Sequence, residues 1–600
     1  MPSQKSNQKK ETRRVDPITL AVVSGALETT QRQMTLTMER TGRSSVVAVS
    51  RDFSNAIFDG TPEMVVQGQD LPIHLGSLIL ATRTVSEYFK GDIEPGDVII
   101  HNDPVYDGSH TLDWCQYKPV HFENEIVFWL VSKGHMADGG GPVPGGYNPE
   151  ATEIYAESLR IPPIKIIEAG KLKKDLFNLL VTNVRTRENI SGDLRAQLGA
   201  LRVGERNLLG LLKKYGKEEV KACVSELLNL SERHMRELIQ ELPDGVHRGQ
   251  AMVEDIGHGL GDKPVDVEVE VTGDRMKIRL EAPPQIPFYT NSYRANTTSA
   301  VYLGLVMFMK PEPPYNQGMY RPVELDYGPL GTMVNAKEPA PHVASTTCPA
   351  ETVTDAVRNT LAAAYPGRAS AGWGHCSCIN VSGIDPRTQA EYVHMMVSTL
   401  ACGAGAVEGL DGWHGVGPQA GLGGATCGEQ EQLEYGYPLI VHDYSITKDS
   451  GAAGKYRGGC GMTCEVEPVG HEMTVVVWGE GRKYPASNTE GAKSVWIDRK
   501  ICQVELIKQD GSVETIRENK LLKIKPGERI RTTSAGGGAV GPPEERDPKA
   551  VADDVLNEKV SVEGARVEYG VVIDPKTCQV DEAATMKLRA ETRDQVPHGV

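Results

Sequence analysis

The hydrophobic period of this chain changes at Pro243-Asp244-Gly245, and that change limits the fold more than any other feature. Before it, Lys217–Glu241 repeats Val220, Val224, Leu227, Leu228, Met235 and Leu238 near helical spacing. After it, Val265, Val267, Val269 and Val271 alternate strictly with Asp266, Glu268 and Glu270. Thr272-Gly273-Asp274 then supplies a turn, and Met276, Ile278 and Leu280 resume the alternation. Period two on both sides of a turn is the pattern of an antiparallel hairpin. Helical and strand periods held in separate runs point to an α+β architecture, with mixed and antiparallel sheets packed by helices.

The other elements follow from the same reading. Helices are expected at 17–45, Lys173–Arg187, Ser191–Tyr215 and Ala350–Ala364. Strands are expected at Ser45–Ser50 with an extension over Asn55–Phe58, and at Ile164–Ile167, Thr474–Trp478, Ser494–Ile497, Val504–Ile507 and Leu521–Lys525. At 600 residues the chain exceeds one ordinary domain. It divides into a disordered arm (1–15), an α/β region (16–242), a hairpin-containing α+β region (243–370), a glycine-rich β-rich region (371–540), and a linker with a C-terminal tail (541–600).

Charge and cysteine content bound the function. A net charge of −16 opposes non-specific binding to a phosphate backbone, so no nucleic-acid partner is expected. No stretch approaches 18 uninterrupted apolar residues, so no membrane span is expected. The basic N-terminus lacks the apolar core of a secretory signal, and the 11 cysteines have irregular spacing. A reduced, cytoplasmic protein is the expectation. The glycine clusters at 139–146, 403–424 and 536–538 could cradle an anion through backbone N–H groups. None matches a nucleotide-binding motif.

Chemistry concentrates between 52 and 138. Asp52 lies beside a predicted strand, His110 and Asp113 are three residues apart, and His135 follows the apolar run Ile126–Val131. If 110–113 were a helical turn, both side chains would reach one centre. Two imidazoles and two carboxylates suit Zn, Mn or Fe(II) in a catalytic site. The alternative is that these are turn-capping aspartates and hydrogen-bonded histidines. Glu153 and Glu157 share a face if their segment is helical, and Asn183, Arg185, Asp193 and Arg195 form a second polar group. Within these groups Glu153, Arg185 and Asp193 are the candidate catalytic residues, an arginine being able to hold a negatively charged intermediate. The alternative is an internal salt-bridge network. Cys348, ahead of the 350 helix, reads as a buried structural thiol.

Several stretches, in order, resemble the hydantoinase B/oxoprolinase family. They are RDFSNAIFD at 51–59, LPIHLGS at 71–77, NDPVYDGSHTLD at 102–113, GHMADGGG at 134–141, TEIYAESLRIPP at 152–163, NVRTRENISGDLRAQLGALRVGERNL at 183–208 and KDSGAAGKYRGGCG at 448–461. The triple glycine at 536–538 fits as well. The resemblance implies a hydantoinase B-like fold and places the family's metal ligands on Asp52, His110, Asp113 and His135. It implies Zn or Mn as the metal, and a larger hydantoinase A-like partner subunit that binds ATP, in a hetero-oligomer. It further implies ATP-dependent opening of a hydantoin, 5-oxoproline or lactam, or alternatively carboxylation of a ketone with bicarbonate. A non-catalytic scaffold subunit is the rival of a different class. Departures occur at Trp114-Cys115, at Lys133-Gly134-His135 where a doubled histidine is usual, and at Thr346-Thr347-Cys348.

Overall fold

The computed structural model describes residues 15–594 except 69 and 369. The expected N-terminal arm therefore lies, apart from Val15, outside the described residues.

The N-terminal part is a seven-stranded sheet in which every neighbouring pair is antiparallel. Its strands are β1 (Phe53–Asp59), β2 (Met64–Gln67), β3 (Val98–His101), β4 (Asp113–Phe122), β5 (Glu125–His135), β6 (Ile164–Glu168) and β7 (Lys171–Leu172), in the order β2-β1-β5-β4-β3-β6-β7. Six helices accompany it: α1 (Pro17–Thr41), α2 (Ser45–Ala48), α3 (Leu75–Tyr88), α4 (Lys174–Thr182), α5 (Arg187–Tyr215) and α6 (Lys217–Gln240). Trp114, Phe128 and Leu130 pack with α1, α5 and α6 on one face, while Cys115, Tyr117, Trp129 and Val131 enter a second core on the other. Both faces of β4 are buried along most of its length, so its polar residues do not mark a solvent face. Its Gln116 Nε2 donates to Leu194 O and Gln197 Oε1, and its Lys118 pairs with Glu205. This is why only part of the sheet was visible in the residue pattern.

Two expected strands are not strands. Ser45–Ser50 begins as α2, because the Ser44 hydroxyl caps Val47 N–H and Val46 and Val47 are buried in different cores. Ser494–Ile497 is irregular and runs into a short 3₁₀ turn at Ile497–Arg499. The single helix expected at 17–45 ends at Thr41, where Gly42 follows, and the one expected at Lys173–Arg187 is divided between α4 and α5.

The second sheet holds the predicted hairpin: β8 (Gly245–Val253), β9 (Lys263–Thr272), β10 (Arg275–Glu281) and β11 (Val323–Asp326), ordered β11-β10-β9-β8. Against it lie α7 (Arg294–Met309) and α8 (Ala350–Ala364). Two further sheets, of four and five strands, occupy 377–533, and helices at 548–556, 562–569 and 582–594 close the chain. Among the described residues no helix is long and apolar enough to cross a membrane.

The glycine clusters at 403–424 and 536–538 do not cradle an anion. Their segments stack on one another: Gly403 N–H donates to Ala535 O, Gly537 N–H to Gly459 O, Gly459 N–H to Ala404 O, and Gly538 N–H to Gly372 O. The backbone donors that an anion would need are taken by neighbouring carbonyls. Side chains are excluded there because a Cβ on Gly537 would lie 1.9 Å from Ala404 O.

Candidate metal centre

Strand register assembles the centre. Asp113, the first residue of β4, lies directly opposite His135, the last of β5. On the other side of β5, Phe53 pairs with Gly134, and His135 N–H donates to Asp52 O. Asp52, Asp113 and His135 therefore meet at one end of three adjacent strands. His110 belongs to a turn, not to a helix as the spacing suggested, and Asp113 N–H closes that turn onto His110 O at 3.0 Å.

The donor atoms converge. Asp113 Oδ1 is 3.0 Å from His110 Nε2 and 3.4 Å from His135 Nδ1, and Asp52 Oδ2 is 3.9 Å from His135 Nδ1. His74, on a 3₁₀ turn entering α3, adds Nε2 at 3.7 Å from Asp113 Oδ2 and 3.9 Å from Asp52 Oδ1. Its Nδ1 is 2.9 Å from Ser54 Oγ. His74 stands in the LPIHLGS run at 71–77 with no ligand-type spacing to Asp52 or His110 to mark it in the sequence.

The hydrogen bonds show what the centre lacks. His110 Nδ1 donates to the Val343 carbonyl at 2.7 Å, so in the neutral ring Nε2 carries a bare lone pair. Both His110 Nε2 and Asp113 Oδ1 are buried without a hydrogen-bond partner. Two such atoms 3.0 Å apart need a proton or a metal ion between them. His110, Asp113 and His135 offer ligand atoms within 4.8 Å of one another. A divalent ion fits this donor set.

Lys133, where a doubled histidine was the usual pattern, fills the far side of Asp113. Its ammonium is buried, 2.9 Å from Asp113 Oδ2, and donates to Ser77 Oγ and Ser109 Oγ. Ser109 in turn donates to Asp113 Oδ2 at 2.6 Å. One Asp113 oxygen is thus fully bonded while the other faces the histidines. Burial works to raise the Asp113 carboxyl, but His110 and Lys133 outweigh it and hold it well below the ordinary range. Burial raises Asp52, and it drives His74 well down toward the neutral ring. Burial also opposes charge on His135, yet Asp52 and Asp113 leave it raised.

The remaining candidates lie elsewhere. Asp193 is buried, and its Oδ1 accepts the backbone N–H groups of Arg43 and Ser44, tying α5 to the α1–α2 link. Arg185 donates to Asp138 Oδ1 and Gly141 O, which fastens the 138–146 loop. Glu153 is exposed, and the buried carboxylate of its segment is Glu157. Cys115 and Cys348 are buried, and burial pushes the Cys115 thiol up to about 12 and Cys348 well above its usual range. Neither is a thiolate.

A second group, Glu351, His375 and Glu480, also brings ligand atoms within 4.8 Å. Here the cation is already supplied. His375 Nε2 bonds Asp355 at 2.7 Å and its Nδ1 is 3.5 Å from Glu480. Burial opposes protonation, but Asp355 and Glu480 hold His375 well above its ordinary value, so the ring is an imidazolium at neutral pH.

The centre opens into a pocket lined by Leu71, Ile73, Tyr147, Met395, Leu400 and Trp478. The Tyr147 and Trp478 rings stack with centroids 3.9 Å apart. Among the described residues no lysine or arginine lines this pocket.

Known proteins resemble this chain along nearly its whole length. The chain is 52% identical over 577 residues to the caprolactamase subunit beta of Pseudomonas jessenii, covering 96% of this chain and 99% of the relative. The crystal structure of the ATP-dependent caprolactamase from the same organism superposes with a TM-score of 0.91 at 50% identity, over 96% of this chain and all of that one. A nucleotide-free acetone carboxylase shares the fold, with a TM-score of 0.88 at 19% identity over 98% of this chain and 84% of that one. The family model for hydantoinase B/oxoprolinase matches residues 16–543, and the chain belongs to that family.

Proposed function

We propose that this chain is the metal-bearing subunit of an ATP-dependent enzyme that opens a cyclic amide, and that its substrate is a neutral aliphatic lactam. The reading rests on one observation: buried lone pairs on His110 and Asp113 face each other at the floor of a pocket with apolar walls that, among the described residues, no lysine or arginine lines. Asp52, His110, Asp113 and His135 hold a divalent ion, Zn or Mn, with His74 beside them. When bound, such an ion polarises an oxygen and makes water more acidic.

The chain's own residues do the rest. Lys133 and Ser109 fix Asp113 so that only Oδ1 points inward. His74, neutral and buried, is placed to accept a proton from water near Asp52. The Tyr147–Trp478 stack and Leu71, Ile73, Met395 and Leu400 bury ring methylenes and exclude bulk water. Away from the ion, a 5-oxoproline carboxylate would find no lysine or arginine in the lining, and burying a charge without such a partner is costly.

An amide is a poor electrophile. A larger hydantoinase A-like partner that binds ATP and phosphorylates the lactam oxygen would remove that barrier, and the lack of a nucleotide motif here agrees with such a division of labour. The relationship to a caprolactamase beta subunit supports it. Intact ligands oppose the scaffold reading.

The test is ATP turnover by the complex reconstituted with its partner. Unsubstituted lactams are expected to stimulate turnover with ring opening. Turnover with 5-oxoproline is expected to be at least about 100-fold lower, or ~2.7 kcal/mol. Ketone- and bicarbonate-dependent turnover without ring opening would make the chain a carboxylase subunit instead. Trp478→Ala should raise KM for lactams about tenfold, and an unchanged KM would remove the stacked pair from the binding surface.

A further inference from the structure

The tautomer of His110 is set by the Val343 carbonyl, which lies 233 residues away in sequence and belongs to no helix or strand. An irregular segment can hold a ring in place only if it is itself held. Glu157 does this. Its side chain is fully buried, and its Oε1 accepts two consecutive backbone N–H groups, His342 at 2.7 Å and Val343 at 2.8 Å. Its Oε2 is 3.0 Å from Nδ1 of His342, which is also fully buried. No lysine or arginine forms an ion pair with Glu157 among the described residues. This carboxylate is bonded to two backbone N–H groups and lies against the His342 ring.

The bonds form a chain. Glu157 fixes the Val343 peptide unit, Val343 O takes the His110 Nδ1 proton, and His110 Nε2 is left facing Asp113 Oδ1. Accepting two successive N–H groups constrains the peptide plane that carries the Val343 carbonyl, and so the direction in which His110 presents its lone pair. The link also joins the connection between β5 and β6 to the segment that leads into α8.

We propose that Glu157 is a positioning residue for the metal centre, acting through Val343 to select and orient the metal-binding tautomer of His110. The proposal rests on the metal reading above. It assigns no contact between Glu157 and substrate or ion.

Two substitutions in the complete chain test it. Glutamine keeps an oxygen that accepts both N–H groups and offers its amide to His342 Nδ1. Alanine leaves both N–H groups without a partner. Zn(II) affinity, measured by competition with a chromophoric chelator, is expected to fall about 10–100-fold in Glu157→Ala. In Glu157→Gln it should stay within about threefold of the parent, since the acceptor is retained. The visible spectrum of Co(II)-loaded Glu157→Gln should match the parent. Parent-like affinity in Glu157→Ala, or equal loss in both variants, would overturn the proposal. Hydrogen–deuterium exchange on metal-free protein gives a separate arm. The 342–345 amides should exchange faster in Glu157→Ala and not in Glu157→Gln. A parent chain that binds no Zn(II) or Mn(II) would refute the metal centre itself, and the exchange arm would still decide whether Glu157 holds the segment.

Discussion

Asp113→Ala is expected to reduce turnover by the reconstituted complex at least about 1,000-fold, because it removes an inward-facing ligand and with it the ion's polarising effect. Metal content of the purified chain, read by elemental analysis, should fall from about one ion to near zero. The same substitution strands Lys133, whose ammonium is buried and would keep only the Ser77 and Ser109 hydroxyls as partners. Removing one member of a buried pair costs about 3–5 kcal/mol, so the metal-free variant should also melt earlier. The two effects separate in a cycle. Adding Lys133→Met should recover much of the lost stability while activity and metal stay absent. A metal content unchanged in an Asp113→Ala, His135→Ala double variant would refute the centre.

Gly537→Ala should be the most damaging single methyl group in the molecule. Its Cβ would lie 1.9 Å from Ala404 O and 2.3 Å from the attached carbon, both backbone atoms that cannot turn aside. Backbone here is held by Gly537 N–H to Gly459 O and Ala452 N–H to Gly537 O, so relief means separating glycine segments that hydrogen-bond to each other. Overpacking a well-packed site ordinarily costs about 1–3 kcal/mol, and a clash with backbone lies at or above the upper end. The expected result is a large fall in melting temperature or loss of soluble protein. Gly210→Ala is the counterpart. Gly210 lies in α5 with nothing within 4 Å of its would-be Cβ, so alanine should stabilise the helix by about 1 kcal/mol. Similar melting temperatures for the two variants would show that the glycine stack does not depend on the missing side chains.

Local pattern was a good guide wherever one face of an element meets solvent. The α6 stripe and the β9–β10 hairpin stand in the structure as their periods predict, because exposed polar residues mark the outer face. The pattern failed where both faces are buried. In β4, polar Gln116 and Lys118 are interior and bonded to α5, so polarity there does not mark a solvent face. At Ser45–Ser50, β-branched residues suggested a strand, but a Ser44 cap and two cores decided for a helical turn.

The same division holds for the site. Asp52, His110, Asp113 and His135 could be picked out by residue type and spacing, and the family by ordered motifs. Their convergence is a matter of register: Asp113 opposite His135, and Gly134 opposite Phe53, next to Asp52. No local rule distinguishes Asp113 from Asp193: each keeps one buried oxygen without a hydrogen-bond partner, but that of Asp113 faces the His110 and His135 rings, while the other oxygen of Asp193 binds Arg43 and Ser44 backbone. Glu153 and Glu157 differ by one turn's worth of sequence, yet one is exposed and the other grips Val343 from 186 residues away. Side-chain chemistry is written in each residue. Which lone pair is left bare depends on partners that only the folded chain brings within hydrogen-bonding distance, and that is what leaves His110 Nε2 facing Asp113 and makes Arg185 a brace of the 138–146 loop.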